Sequence, residues 1–198
     1  VARETGLRTA RRLSHVFMAD VPTYPHPLLI TDAAINIEPT LEDKVHIIQN
    51  AIELAIMMGV PEPKVAILSA VETVNVKIRS TLDAAALCKM ADRGQIRGGL
   101  LDGPLAFDNA VSLVAAKTKG IRSAVAGQAD ILVVPDLESG NMVAKQLEYL
   151  ADALMAGVVL GARVPIVLTS RADTAETRTA SCAIAQLMAH KRRQGVRL

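Results

Sequence analysis

Aromatic residues are almost missing from this sequence. Phe, Trp and Tyr together make up 2% of the 198 residues, and Trp is absent. Since 51% of the residues are nevertheless hydrophobic, the core must consist mainly of Ala, Val, Ile, Leu and Met, which suits helices packed on a sheet. An excess of basic charge is missing too, because 22 Lys and Arg residues face 20 Asp and Glu residues. A nucleic-acid-binding protein normally combines a basic face with stacking aromatics, so we expect no nucleic-acid partner.

Signatures of a metal site or of disulfides are also missing. Cys88 and Cys182 lie far apart, no CxxC pattern occurs, and the four histidines are scattered along the chain. We therefore expect no bound metal, and we expect both cysteines to pack as small apolar side chains in a reducing compartment.

No segment is predicted to enter a membrane. The most apolar stretch, residues 153–162, lies between Asp152 and Arg163 and is too short to span a bilayer. The first residues, "VARETGLRTARR", lack the apolar core of a signal peptide. We therefore expect a soluble, cytoplasmic protein without a membrane partner. Because the sequence has no initiator Met, we also expect it to be part of a longer chain.

Short apolar runs alternate with helical ones, and this alternation predicts the fold. The clearest helix is "TLEDKVHIIQNAIELAIMMG", in which Thr40 and Asp43 suggest a capping box and Gly59, before Pro61, a stop. Strands that are apolar throughout and alternate with helices indicate an α/β fold, with a largely parallel sheet and helices on both faces.

Two details of this pattern concern turns and glycines. Asp102, Gly103 and Pro104 predict a turn between a strand and a helix. The two glycines of "AGVVLGAR" fall inside a run that we interpret as helical, so we expect them to serve helix packing.

Polar residues follow the predicted strands in four places. Ligands of an open parallel sheet bind beyond the carboxyl ends of its strands, which makes these residues candidates. They are Asp32, Asn36 and Glu38; Asp102 and Asp108; Asp136, Glu138, Ser139, Gly140 and Asn141; and Ser170 and Arg171. Asp, Ser and Asn before a helix also serve as caps, so each group has a purely structural alternative.

The stretch "LTSRADTAET" is the one place where a cap does not explain every residue. Asp173 and Glu176 have the spacing of a capping box. Arg171 is not needed for a cap, whereas an anion near a helix N-terminus gains from backbone N–H groups and a guanidinium together. A surface position or a carboxylate partner would also explain Arg171. No GxGxxG, P-loop or GxSxG pattern occurs, so the residues alone indicate an α/β protein with a candidate anion site.

Five ordered motifs resemble the phosphate acetyltransferase and phosphate butyryltransferase family. They are "TDAAINIEPT", "KVAILSAVE", "LLDGPLAFDNAVS", "AGQADILVVPDLESGNMVAKQL" and "VPIVLTSRADTAET", spread over about residues 8–189. The resemblance implies reversible transfer of an acyl group between coenzyme A and inorganic phosphate, of acetyl or butyryl type. It also implies an isopropylmalate dehydrogenase-like architecture, a homodimer, and no cofactor beyond the coenzyme A thioester substrate.

The same resemblance implies roles for individual residues. Arg171 would hold phosphate, and Ser170 would donate to the carbonyl oxygen as negative charge develops on it. The candidate substrate-binding residues are Asp102, Asp136, Ser139, Gly140 and Asn141. The acetyltransferases have an Asp base seven residues after the Ser, where this chain has Thr177; Asp173 and Glu176 are the nearby candidates for that base.

Complete members of the family are longer than this chain. The resemblance implies that residues 13–160 form the second α/β domain, and that residues 1–12 and 161–198 belong to the mostly missing first domain. An alternative of a different class remains, since similar domains are fused behind malic enzymes: a non-catalytic domain for acyl-CoA sensing and dimerisation within a larger fusion enzyme.

Overall fold

A computed structural model describes residues 6–194 of the chain. The strands are β1 (Ser14–Asp20), β2 (Leu28–Thr31), β3 (Lys64–Leu68), β4 (Leu100–Leu105), β5 (Ile131–Val133), β6 (Leu154–Leu160) and β7 (Ile166–Val167). The helices are α1 (Leu41–Met57), α2 (Arg79–Asp92), α3 (Phe107–Val111), α4 (Leu113–Thr118), α5 (Leu137–Leu150) and α6 (Ala175–Arg193).

The strands form one seven-stranded sheet in the order β4-β3-β5-β2-β1-β6-β7. Neighbours from β4 to β2 are parallel, whereas β1 is antiparallel to both β2 and β6, and β7 is antiparallel to β6. It follows that β2, β3, β4, β5 and β6 run in one direction and that β1 and β7 run in the other. The predicted α/β class with a mostly parallel sheet is confirmed.

Helices cover both faces of this sheet. Ile131 and Val133 of β5 pack with residues of α1, α2 and α6, whereas Leu132 between them packs with residues of α3, α4 and α5. Because successive side chains of a strand point to opposite faces, β5 is apolar at every position. None of the helices within residues 6–194 is both long and apolar enough to cross a membrane.

The start of α1 follows the sequence prediction closely. Thr40 Oγ1 accepts from Asp43 N at 3.2 Å, and the Asp43 carboxylate accepts from Thr40 N at 3.0 Å, which completes the capping box. The helix ends at Met57, and Gly59 adopts φ +99° just beyond it. These features are local in the chain, and for that reason the sequence predicts them well.

The predicted turn at Asp102-Gly103-Pro104 is wrong, because β4 continues through these residues. An edge strand tolerates proline, since one side of its backbone needs no partner, and β4 is an edge strand of the sheet. Gly103 lies tightly against β3: a Cβ on it would come within 2.7 Å of the Ile67 carbonyl oxygen.

The helical interpretation of residues 153–162 is also wrong. Helix α5 ends at Leu150, and the segment that follows forms β6, buried between β1 and β7. Periodicity alone cannot separate a fully buried strand from a buried helix. Gly157 serves strand packing, because a Cβ on it would come within 2.7 Å of the Leu168 carbonyl oxygen and 2.8 Å of His15 Nε2.

The proposed division at residues 13 and 160 stays a prediction. Beyond that boundary, β7 pairs with β6, and the α6 residues Ile184 and Met188 pack in the same core as the β6 residues Ala156 and Val158. Residues 1–5 of the predicted 1–12 segment lie outside the described part of the chain.

The cysteines differ in exposure, so the expectation that both are packed holds only for Cys88. Cys88 is partly buried, and Cys182 is exposed on α6. Burial, followed by the nearby charges of Asp102 and Asp92, raises the pKa of Cys88 to about 12.

We expect a brief treatment with iodoacetamide at neutral pH to alkylate Cys182 first, since thiolate character and access control this reaction. Peptide mass spectrometry checks this, and faster modification of Cys88 would contradict the packing described here.

Candidate functional site

The predicted residues at the start of α5 are hydrogen-bonded to each other and to the chain around them. Asp136 is the N-cap, and its Oδ1 accepts from both Ser139 N and Ser139 Oγ at 2.8 Å. Asn141 Nδ2 donates to the Ala33 carbonyl at 3.3 Å. These contacts give Asp136, Ser139 and Asn141 structural roles, and their role in substrate binding stays a prediction.

Gly140 lies where α5 comes closest to the sheet. A Cβ on Gly140 would come within 2.6 Å of Val134 Cγ2 and 2.9 Å of Ala33 Cβ. The Gly140→Ala variant gains helix propensity of at most about 1 kcal/mol, whereas overpacking costs about 1–3 kcal/mol. We expect the free energy of unfolding, measured in urea, to fall. Glu138→Ala, at an exposed position of the same helix turn, is the control that leaves it nearly unchanged, and a more stable Gly140→Ala protein would contradict the packing.

A polar cavity of about 240 Å³ lies at the carboxyl ends of the parallel strands. Glu38 and Pro39 line it from the loop after β2, and Pro135 and Asp136 line it from the end of β5. Its remaining walls come from the first turns of α1 and α2, namely Lys44, Arg79, Ser80 and Asp83. Of the candidate residues named from the sequence, Glu38 and Asp136 line this cavity.

The most buried charges of the cavity escaped the sequence prediction. Lys44 Nζ lies 2.7 Å from Asp83 Oδ2, with side chains 6% and 12% exposed. Beside them, Ser69 at the end of β3 and Ser80 of α2 share a hydrogen bond of 2.8 Å. Lys44 lies one helical turn before Ile48 and two before Ala51 on the buried face of α1. A lysine at helical spacing among apolar residues indicates a buried charge that needs a partner, and the sequence alone contains that indication.

Asp32 and Asn36, two of the three candidates after β2, belong to a separate, buried network, whereas the Glu38 side chain is 80% exposed. Asp32 is 2% exposed, and its carboxylate accepts from the backbone N–H groups of His15, Ala34 and Ile35. It also accepts from Asn36 Nδ2 at 2.5 Å. The carboxylate therefore stabilises the turn that follows β2, as a side-chain acceptor does in an Asx turn.

Asp102 does not lie at the end of a strand. It occupies the middle of β4 in register with Ala66, and its Oδ1 accepts from Gly103 N at 2.8 Å. The position differs from the predicted one because β4 extends past the expected turn.

Ser170 and Arg171 form a turn between β7 and α6. Ser170 N donates to Asp173 Oδ2 at 2.7 Å, and Asp173 N donates back to the Ser170 carbonyl at 3.2 Å. The Ser170 hydroxyl accepts a long contact of 3.4 Å from Ala172 N. Arg171 is exposed, and none of the ion pairs found within residues 6–194 includes it. Both side chains are thus available to a ligand.

The N-cap of α6 is Thr174, so the predicted capping box of Asp173 and Glu176 is wrong. Thr174 Oγ1 accepts from Thr177 N at 3.2 Å, and Thr177 is 6% exposed. Asp173 lies one residue outside the helix and closes the Ser170 turn instead. Glu176 lies in the first turn of α6 and is exposed.

The predicted site residues do not come together in one place. Because β7 runs opposite to β5, Ser170 and Arg171 lie toward the amino-terminal edge of the parallel strands, whereas Asp136 and Ser139 lie at the carboxyl edge. Within residues 6–194 no group of three or more His, Cys, Asp or Glu residues could hold a metal ion.

Comparison with solved structures defines the class of this fold. The chain is similar to a branched-chain phosphotransacylase from Enterococcus faecalis V583, with a TM-score of 0.86 and 37% identity, over 93% of this chain and 66% of that one. The chain therefore has the α/β fold of that phosphotransacylase.

The sequence comparison then gives the family. Residues 3–186 match the family described as "Phosphate acetyl/butaryl transferase", and the chain belongs to that family. It is 67% identical to the phosphate acetyltransferase of Rhizobium meliloti, over 97% of this chain and 61% of that protein. It is 52% identical to a probable phosphate butyryltransferase of Bacillus subtilis, over 92% of this chain and 61% of that protein. The chain thus spans about three fifths of the length of these relatives.

Proposed function

We propose that the protein carrying this chain transfers an acyl group reversibly between coenzyme A and inorganic phosphate. The observation that carries the proposal is the 67% identity to a phosphate acetyltransferase over nearly the whole chain. Acetyl is the first acyl group to test, because the probable butyryltransferase is less similar, at 52% identity.

Ser170 and Arg171 are the residues to which we assign the reacting groups. The exposed guanidinium of Arg171 would hold the phosphate oxygens, for which its fork of donors is well suited. The Ser170 hydroxyl, with no protein acceptor for its proton among the described residues, would donate to the carbonyl oxygen. Donation there stabilises the negative charge of the tetrahedral transition state.

Asp173 is the better placed of the two candidate bases. Its carboxylate already lies 2.7 Å from Ser170 N, whereas Glu176 points from the exposed first turn of α6. Thr177 has no basic group and is tied into the helix cap. A thiol has a pKa of about 8.5, so a nearby carboxylate supplies the modest help that ionisation of coenzyme A needs. The thiolate then attacks the acyl phosphate carbonyl, and phosphate leaves.

The remaining parts of the proposal concern partners and location. We propose acyl-CoA and phosphate as substrates, no metal or nicotinamide cofactor, a homodimer and a cytoplasmic location. Asp102, Asp136, Ser139, Gly140 and Asn141 remain proposed substrate-binding residues. No observation favours the non-catalytic acyl-CoA-sensing alternative, since the relatives found are named as transferases.

A coupled assay tests the proposed function. Acetyl-CoA and phosphate are supplied to the chain alone and to the complete product of its gene, and release of free thiol is followed with and without phosphate. Phosphate-dependent release that reverses when acetyl phosphate and coenzyme A are supplied supports the proposal. If the complete protein is folded and neither acetyl-CoA nor butyryl-CoA is consumed in a phosphate-dependent way, the proposal is wrong.

A further inference from the structure

His15 is a buried histidine with an incomplete set of partners. It lies on β1, is 1% exposed, and its Nδ1 has no hydrogen-bond partner. An unpaired buried nitrogen costs free energy, and an apolar residue of similar size would avoid that cost. The other ring nitrogen, Nε2, lies 3.3 Å from the Leu168 carbonyl oxygen.

The contact between His15 and Leu168 is built into the packing of three strands. Gly157 of β6 leaves the space in which the ring and the carbonyl meet, since a Cβ there would come within 2.8 Å of Nε2. Burial lowers the pKa of His15, opposed by the Leu168 hydrogen bond and by Asp32 and Asp173. The ring is therefore neutral near pH 7, and the nitrogen facing a carbonyl carries its proton.

Leu168 lies two residues before Ser170, immediately after β7. That strand is two residues long and pairs with β6 through Val167 and Ile166, so few backbone hydrogen bonds hold its end. On the other side of the turn, Gly157 N donates to Ser181 Oγ at 2.9 Å, which fixes α6. The Ser170 turn is therefore held on both sides. On the β7 side it is held by the contact between His15 and Leu168, and on the α6 side by the hydrogen bond between Gly157 and Ser181.

We propose that His15 is a positioning residue, whose Nε2–H holds the Leu168 carbonyl and so fixes where Ser170 and Arg171 present their side chains. This inference rests on the proposed function, in which Arg171 holds phosphate. His15 touches neither substrate; it acts through the end of β7.

Substitution of His15 in the complete protein tests this inference by kinetics. His15→Leu removes the donor and fills the space, whereas His15→Gln keeps an N–H donor near the position of Nε2. Since small misplacements of a binding group cost large factors in rate, we expect His15→Leu to raise the phosphate KM about tenfold or more with little change in the acyl-CoA KM. His15→Gln should recover most of the loss. Phe17→Leu is the control for lost packing. The Phe17 ring packs edge-on against the His15 ring, with the two ring centroids 4.3 Å apart, but it makes no hydrogen bond to Leu168.

Amide hydrogen exchange gives a readout that does not depend on activity. We expect the amides of Ser170 and Asp173 to exchange faster in His15→Leu and at the normal rate in His15→Gln and Phe17→Leu. If the protein lacks acyl transfer, the proposed function fails and exchange alone decides the role of His15. Unchanged exchange in a folded His15→Leu protein, or an equal loss in all parameters for His15→Leu and Phe17→Leu, would overturn the inference.

Discussion

Replacing Arg171 with alanine is expected to lower kcat/KM for phosphate-dependent acyl transfer by about 10²- to 10³-fold, the range seen when one donor to a developing charge is lost. Arg171 is exposed in the turn before α6, and no ion pair within the described range includes it. Stability should barely change, because Arg171 is exposed. The loss should therefore appear in the kinetics of a normally folded protein.

Two further variants sharpen the test of Arg171. Arg171→Lys keeps the charge without the planar fork of donors, so we expect an intermediate loss. Arg122→Ala removes an exposed arginine from the loop before β5 and should leave kcat/KM unchanged. Equal activity of Arg171→Ala and Arg122→Ala, measured with saturating acyl-CoA and varied phosphate, would remove Arg171 from the phosphate site.

Replacing Lys44 with methionine is expected to lower the free energy of unfolding by about 3–5 kcal/mol, because it leaves the buried Asp83 carboxylate without its partner. The Lys44 and Asp83 side chains are 6% and 12% exposed and lie 2.7 Å apart. An exposed ion pair would contribute at most about 1 kcal/mol, so the measured size of the effect distinguishes the two situations. Urea unfolding measures this change in the free energy of unfolding, provided that its dependence on urea concentration has the same slope in both proteins.

The double variant Lys44→Met with Asp83→Leu is the matched control for that prediction. Removal of both charges takes away the uncompensated carboxylate, and we expect stability to recover by most of the loss. Lys89→Met removes one partner of an exposed pair with Asp92, in which both side chains are 65% exposed, and should cost little. A loss below about 1 kcal/mol for Lys44→Met would show that water reaches the pair.

The sequence predicts the parts of this fold that are encoded locally. The capping box of Thr40 and Asp43 needs only three residues of spacing, and the structure contains it. Strands that are apolar throughout, such as β5, predict a covered sheet because both of their faces are buried.

The parts that sequence reasoning missed depend on contacts between distant segments. Residues 154–160 are apolar at every position, and only their pairing with β1 shows that they form a strand. The place of Ser170 depends on the direction of β7, which no residue near it specifies. Lys44 was overlooked because its partner, Asp83, lies in another helix.

These differences change how the candidate site is understood. Asp136 and Ser139 belong to the carboxyl edge of the sheet, where the cavity with Lys44 lies, and Ser170 and Arg171 belong to the opposite edge. Phosphate binding is therefore to be tested at the turn that contains Ser170 and Arg171, independently of the residues at the start of α5.

The most direct test of the proposed function follows phosphate itself. Radiolabelled phosphate is incubated with acetyl-CoA and the complete protein in the presence of a chelator, and label in acetyl phosphate is compared with coenzyme A released. The proposal predicts one labelled acetyl phosphate for each coenzyme A released, with the rate strongly reduced in Arg171→Ala. Release of coenzyme A without transfer of label would show hydrolysis instead and would contradict the proposed acyl transfer.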